Sequence, residues 1–444
     1  MRSRLSRYLV GAVGTEISRL SRYYDRFVQV LPLPHDDGAL LESVVGAEKG
    51  TFGSVADLPD FSDERARRSA VLLNGVLNQH FDLEGLLREL RPKLSRTSRI
   101  VAVAYNSYMR WPYELASSLG LRTGEVPEVF LTRSELENIA DLAGFDIVRM
   151  RPVTYAPLAF FGIGSLVNYV LPMIPGLRWT SVATVIVFRP RIVETGYPSV
   201  SVIVPARNEA GNIPGAIRRL PDFGGAKVEV VFVEGGSTDR TWDEILEARK
   251  LERPGLAIKA FRQTGKGKND AVKLGVEKAS HELVMILDAD LTMPPELLGR
   301  YYEAYRDGKA DFVNGSRLVY PIEGREMKFI NLLGNLFFSR FLSGVLETRL
   351  SDTLCGTKLL ARHDWERIRK WNEDFGRFDP FGDFELLFAA ASLGLGVVNL
   401  PVRYLARTYG TTNILRFRHG LQLLRMAAIG LFRIRAGNLR ERRE

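Results

Sequence analysis

The chain has 444 residues, 45% of them apolar and 25% charged, proportions that suit an ordinary globular protein of two or three domains and exclude global disorder. A single cysteine, Cys355, excludes any intrachain disulfide and fits a reducing compartment. The formal net charge of +9, with a pI near 9.5, favours anionic partners such as nucleotides or phospholipid surfaces. The basic residues are not interleaved with aromatics on a recognisable module, so nucleic acid is not expected among them.

In chain order, "MRSRLSRYLVGAVGTEISRL" begins basic, but arginines interrupt it before an apolar core forms, so no secretory signal is read. "AVLLNGVLNQHFDLEGLLRELRPKLSRTSRIVAVAYNSY" reads as strand, helix, strand. "LTRSELENIADLAGFDIVRMRPV" and "SVATVIVFRP" continue an α/β pattern. Between them, "YAPLAFFGIGSLVNYVLPMIP" approaches the length of a membrane span, but Pro157, Asn168, Pro172 and Pro175 interrupt it. A surface-lying or buried segment is expected there. The pattern divides near "VFRPRIVETGYPSVSVIVPARNE", which separates residues 1–192 from 197–410. Residues 411–444 form a basic tail.

The second region alternates. "SVSVIVPA", "VEVVFVEGG", "LAIKAFRQ" and "ELVMILDA" read as strands, with helices "IPGAIRRL", "TWDEILEARK" and "NDAVKLGVEKA" between them. Short β-branched runs separated by amphipathic helices predict a parallel sheet with crossover helices. Such sheets bind ligands beyond the carboxyl ends of their strands, where "PARNE", "EGGSTD", "GKGKND" and "DADLT" fall. Asp288 and Asp290, two apart as the strand frays, can converge on one ligand. A pair of carboxylates suits Mg²⁺ or Mn²⁺ already bound to phosphate oxygens. Glu234 ends a strand before two glycines, and Asp239 or Thr238 could cap the helix that follows. "TGKGKNDA" resembles a phosphate loop without the Walker spacing, and Lys266 and Lys268 could neutralise a diphosphate.

These segments in this order resemble glycosyltransferase family 2, with a GT-A (Rossmann-like) fold, and most nearly its polyprenyl-phosphate mannosyl- and glucosyltransferases. "VNGSR", "SDTLCGTKLL", "FDPFGDFELLFAAASLGLGVVNLPVRYLART" and "YGTTN" extend the resemblance to about Arg435. It implies an inverting, metal-dependent transfer from a UDP- or GDP-sugar to a lipid-phosphate or saccharide acceptor. Pro205, Glu209 and Glu234 would line the nucleoside pocket. Asp288 would hold nucleotide and sugar, Asp290 the metal, and Lys266 the diphosphate. Arg317 and Arg407 would meet acceptor or donor phosphate, which suits the bidentate fork of arginine. Asp383, in "GDFELL", would stand at the acceptor, as base for a sugar hydroxyl or as an orienting group for a lipid phosphate; a helix cap is the alternative. Glu234–Gly235 replaces an acid pair often seen in the family, and Thr292 stands where some relatives carry a metal-binding glutamine. Both departures leave the donor open.

Residues 1–192 resemble the later half of a class I S-adenosylmethionine-dependent methyltransferase. Between Met1 and Ala70 there is neither the G-x-G-x-G loop nor the acid that ends the second strand. The cofactor loop, if not the whole first βαβ unit, is missing. A degenerate Rossmann-like domain that does not bind S-adenosylmethionine is expected. Two other readings remain: a methyltransferase with an accessory sugar-nucleotide domain, and a non-catalytic scaffold. Retention of both aspartates of "DAD", with "GKGK" and "GDFE", opposes the scaffold. The tail holds eight arginines against two glutamates. As a basic amphipathic helix it would lie on an anionic membrane, with "FINLLGNLFFSRFLSGVL" as a second contact, in a cytoplasmic, peripheral protein.

Overall fold

Two sheets organise the chain in this computed structural model, which describes all residues except 1–3, 47, 65–66, 119–126, 157–162, 175, 252, 321–328, 377–381, 410–415 and 436–444. The first region runs α1 (Arg4–Ser21), β1 (Arg26–Val30), α2 (Ala39–Ser43), β2 (Glu48–Phe52), β3 (Ser69–Asn74), α3 (Leu83–Leu90), β4 (Arg99–Tyr105) and α4 (Arg110–Ser118). It continues with α5 (Arg133–Leu142), β5 (Phe145–Val153), α6 (Ile163–Val170) and β6 (Ala183–Pro190). Its strands lie in the order β2-β1-β3-β4-β6-β5. The first four are parallel, and β6 runs antiparallel to both its neighbours.

A first βαβ unit is therefore present, contrary to the reading that could not find one. It escaped detection because β1 is five residues long and β2 is a polar, half-exposed edge strand, so neither makes an apolar run. The loop after β1, "LPLPHDDG", carries two prolines and no G-x-G-x-G, and β2 ends on Phe52 rather than an acid. Within the loop, Asp36 is committed internally: it accepts from Gln29 Nε2 (2.6 Å) and Asn74 Nδ2 (2.7 Å).

The second region contains β7 (Val200–Ala206), α7 (Ile213–Arg218), β8 (Val228–Glu234), α8 (Thr241–Ala248), β9 (Leu256–Arg262), α9 (Lys268–Lys278), β10 (Leu283–Ile286) and α10 (Leu298–Arg306). Then come β11 (Phe312–Ser316), α11 (Phe329–Leu346), β12 (Lys358–Ala361), α12 (Arg362–Phe375), α13 (Asp383–Ser392), β13 (Val397–Pro401) and α14 (Arg416–Gly430). The sheet order is β13-β11-β12-β10-β7-β8-β9. The expectation of a parallel sheet is corrected at one strand: β12 pairs antiparallel with both β10 and β11. That reversal brings the start of β12, Lys358, opposite Ile286 at the end of β10.

Alternation of side chains builds two cores from this sheet. Ile203, Val231, Val233, Val284 and Ile286 face α9, α11, α13 and α14. Val202, Val204, Val230 and Phe232 face α7, α8 and α10. All are essentially inaccessible, and burying each contributes roughly 1.5–3 kcal/mol.

Arginines join the two regions. Asp311, immediately before β11, meets Arg99 Nη2 at 2.7 Å, Arg189 Nε at 2.9 Å and Arg96 Nε at 3.6 Å, all from the first region. Arg96 also donates to Tyr305 O at 2.8 Å, and Arg99 Nε to Gly394 O at 2.7 Å.

Candidate active site

The end of β10 explains why two carboxylates follow an apolar strand. Leu287, Ala289 and Leu291 continue into the core beside α7 and α10. Alternation then leaves Asp288 and Asp290 on the other side, over the carboxyl edge of the sheet. Leu291 adopts φ +51°, an unfavourable conformation for a branched side chain, and its burial in that core holds the turn in place.

Each carboxylate at this edge meets a cation. Asp288 Oδ1 contacts Lys268 Nζ, the first residue of α9. Burial pushes Asp288 upward, but Lys268 beside it holds its carboxyl below the ordinary range. The same contact holds the lysine's ammonium up despite its own burial. Gly356 lets the two meet, since a Cβ there would collide with both Lys268 Nζ and the Asp288 carboxylate.

Asp290 Oδ2 lies 2.6 Å from Arg407 Nη2, and its Oδ1 accepts from Thr292 Oγ1 at 2.8 Å. Burial, with Asp288 adding to it, raises Asp290 in spite of Arg407. Arg407 Nη1 is also 3.3 Å from Glu209 Oε1, and Asn212 Nδ2 donates to Glu209 Oε2 at 2.7 Å. Burial pushes Glu209 up to about 7, more than Asn212 and Arg407 pull it down. Two acids thus share one guanidinium.

Arg317, just past β11, forms a fork with Asp352 at 2.7 and 2.9 Å. Against the effect of its complete burial, Arg317 pulls Asp352 down to about 2. Asn335 Nδ2, on the inner face of α11, donates to Asp352 at 2.8 Å. Asp383 opens α13 and takes Lys358 Nζ at 2.6 Å. The N-cap position belongs to Gly382 (φ +85°), so capping does not explain Asp383. Glu234, 5% exposed, accepts the Ser237 amide at 2.5 Å and so shapes the turn after β8. The N-cap position of α8 belongs to Arg240, so neither Asp239 nor Thr238 caps it as expected; Asp239, one residue earlier, takes the Thr241 amide at 3.0 Å. Pro205 is half-buried one residue before the end of β7.

The structure brings Glu209, Asp288, Asp290 and Arg407 together, with Arg317 and Asp383 along the same strand ends. Lys266 is exposed, and Lys268 is the lysine at the carboxylates. Sequence reasoning singled out neither Lys358 nor Asp352, both fully buried. Their signal was a charge at the mouth of an apolar strand, "GTKLLA", and an acid within "SDTLCG". "YGTTN" beyond Tyr409 lies outside the described residues.

Among the described residues, no group of three or more His, Cys, Asp or Glu side chains is arranged to hold a metal ion. Asp290 and Asp288, close enough for one to raise the other, nonetheless offer the oxygen donors that a hard divalent cation completed by phosphate oxygens would use.

The Glycosyl transferase family 2 profile matches residues 201–367. A "Dolichyl-phosphate hexose transferase" of Haloferax volcanii is 30% identical over 240 residues, covering 53% of this chain and 93% of the relative. The chain belongs to glycosyltransferase family 2. A "Dolichol-phosphate mannosyltransferase" of Pyrococcus furiosus is 36% identical over 122 residues, 27% of this chain, and only 33% of that relative's length is spanned. Glucosyl-3-phosphoglycerate synthase from Mycobacterium tuberculosis, solved with Mn²⁺, UDP and glucosyl-3-phosphoglycerate, overlaps 53% of this chain and 80% of its own. The TM-score is 0.39 at 17% identity, too slight a likeness to transfer its ligands. As a member of family 2 the protein is a glycosyltransferase, and the matched segment contains Glu209, Asp288, Asp290 and Arg317 but ends before Asp383 and Arg407.

Proposed function

We propose that this family 2 glycosyltransferase moves a sugar, with inversion, from a nucleoside-diphosphate sugar to a polyprenyl phosphate. The observation that supports it most is the placement of Arg317. Its guanidinium lies beside the inner face of α11 through Asp352 and Asn335, while Leu333 and Phe337 on the outer face of that helix are exposed. Asp352 occupies Nε and Nη2 of that fork, so a lipid phosphate would meet the remaining Nη1 edge with its tail against apolar surface.

Pro205, Glu209 and Glu234 border the nucleoside, and Asp288 holds the sugar. Lys268, with Lys266 at the loop tip, and Arg407 face the diphosphate. A divalent cation on Asp290 and Asp288 would neutralise charge on the leaving diphosphate. Arg407 must then leave Asp290, which frees its fork for a phosphate. In the transfer, an acceptor oxygen forms a bond to the anomeric carbon from one side. The bond to the β-phosphate oxygen breaks on the other, and its electron pair leaves with the nucleoside diphosphate. Asp383 is committed to Lys358, so an acceptor that arrives already ionised suits the site better than a sugar hydroxyl needing a base.

The test is a matrix of UDP- and GDP-sugars with polyprenyl phosphate and Mn²⁺, followed by chromatography of the lipid product. Glycosylated lipid phosphate of inverted anomeric configuration is expected. Transfer only to soluble saccharides would discard the lipid acceptor.

A further inference from the structure

Four helices expose apolar side chains, and the elements that carry them touch in series. Tyr108, Trp111 and Leu115 lie along the segment that becomes α4. Ile163, Leu166 and Val170 lie along α6, Leu333 and Phe337 along α11, and Leu421 and Leu424 along α14. Spacings of three, four and seven put each set on one helix face. The exposures are large: 69% for Trp111, 67% for Ile163, 55% for Phe337 and 71% for Leu421.

Opposite faces do the packing. Phe338 and Leu342 of α11, and Leu423 and Met426 of α14, enter the core. Helix α6 is held from behind by Asn168, whose side chain accepts the Ala156 amide (2.8 Å) and donates to Tyr8 Oη (2.9 Å). Helix α14 packs on α11, and the π-helical turn Leu431–Arg435 that extends it reaches the short turn Leu171–Met173 at the end of α6. That turn adjoins Leu177–Thr180, which adjoins Ser107–Met109 at the start of α4. The exposed residues of both regions therefore lie along one continuous series of elements.

Charge identifies what this band meets. Residues 147–193, 327–346 and 386–440 contain no Asp or Glu, in a chain with 52 of them, and the one acid on α4, Glu114, is paired with Arg110 at 2.8 Å. Exposed Arg340, Arg425 and Arg433 lie on or beside the stripes of the second region. A second copy of the chain would set cations against cations. An anionic lipid surface would take both the cations and the apolar side chains.

We propose that this band seats in the interfacial layer of an anionic bilayer, and that the N-terminal region, through α4 and α6, supplies half of it. The inference rests on the lipid-phosphate reading and assigns the methyltransferase-like region a role in holding the enzyme at its acceptor.

Because Cys355 is buried, a cysteine introduced at the surface can be labelled selectively. Leu166→Cys on α6, Leu424→Cys on α14 and Leu251→Cys beside the edge strand β9 would each carry a polarity-sensitive dye on the full chain. With phosphatidylglycerol-containing vesicles, emission at 166 and 424 should shift to the blue and that at 251 should not. Pure phosphatidylcholine should give little shift. Ile163→Asp with Leu166→Asp should lower the vesicle-bound fraction about tenfold or more. A shift at 424 without one at 166 overturns the role of the N-terminal region and leaves the lipid acceptor intact. Shifts that follow protein concentration without vesicles would make the band a self-association surface and overturn the proposal. Absence of both shifts, with transfer to detergent-dispersed polyprenyl phosphate retained, removes the band alone. Shifts at both positions without transfer to any lipid phosphate remove the acceptor reading alone.

Discussion

Asp311, buried, and Asp290, part-buried, are both aspartates in contact with arginine, and loss of solvent acts on them in opposition to those arginines with opposite results. At Asp311 three guanidiniums and the Gly396 amide converge on one carboxylate and hold it far below the ordinary range. At the candidate site, Asp290 and Glu209 share Arg407, and both are raised. The first arrangement has surplus positive charge and needs nothing further. The second is one cation short. A buried acid with complete compensation belongs to the architecture; an incompletely compensated pair near Lys268 marks a candidate place for a charged ligand.

Substitution at the joint should have the largest effect on folding. Asp311→Ala leaves Arg96, Arg99 and Arg189 close together without their anion, and removing one partner of such a cluster costs about 3–5 kcal/mol. Thermal unfolding should show a drop in Tm for the chain as a whole, whereas an unchanged Tm would deny the joint its structural role. Asp290→Asn should do the reverse. Turnover is expected to fall by on the order of 10²–10³, while Tm holds or rises because a raised carboxylate has been removed. Wild-type turnover in that variant would end the metal assignment.

Asp383→Asn should lower turnover roughly tenfold through misplacement of the acceptor, with the dissociation constant for donor unchanged. A matching loss of donor affinity would put Asp383 on the wrong substrate. The smallest expected effect concerns pH. Glu209 is raised in the folded state, so its protonated form favours folding; that contribution is complete below the unfolded value near 4.5 and disappears as pH rises through about 7. Between pH 5 and 8 the Tm should lose about 2 °C that Glu209→Gln does not lose. Identical profiles for the two proteins would show that Glu209 does not titrate there.

Much of the second region was legible in the sequence because buried strands and amphipathic helices alternate with clear breaks. The seven strands and helices read between Ser199 and Ala289 all appear within a few residues of their expected bounds. The first βαβ unit was not, since a polar edge strand has no periodic signal. The reversal of β12 was not either: direction depends on how the chain returns after α11. Among site residues, Asp288 and Asp290 were evident from a motif at a strand end. Lys358 and Asp352 were not, because each acquires its partner, 25 and 35 residues away, only when the strands align.

The sequence by itself determined the α/β class and the order of strands, helices and strand-end loops in the second region, since periodicity and turn chemistry are local. Tertiary structure decided which lysine meets Asp288, that Arg407 spans Asp290 and Glu209, and that three arginines of one region close on an acid of the other. Those are pairings between charges distant in the chain. Their strength depends on burial and on competing neighbours, and neither exists until the two sheets are packed.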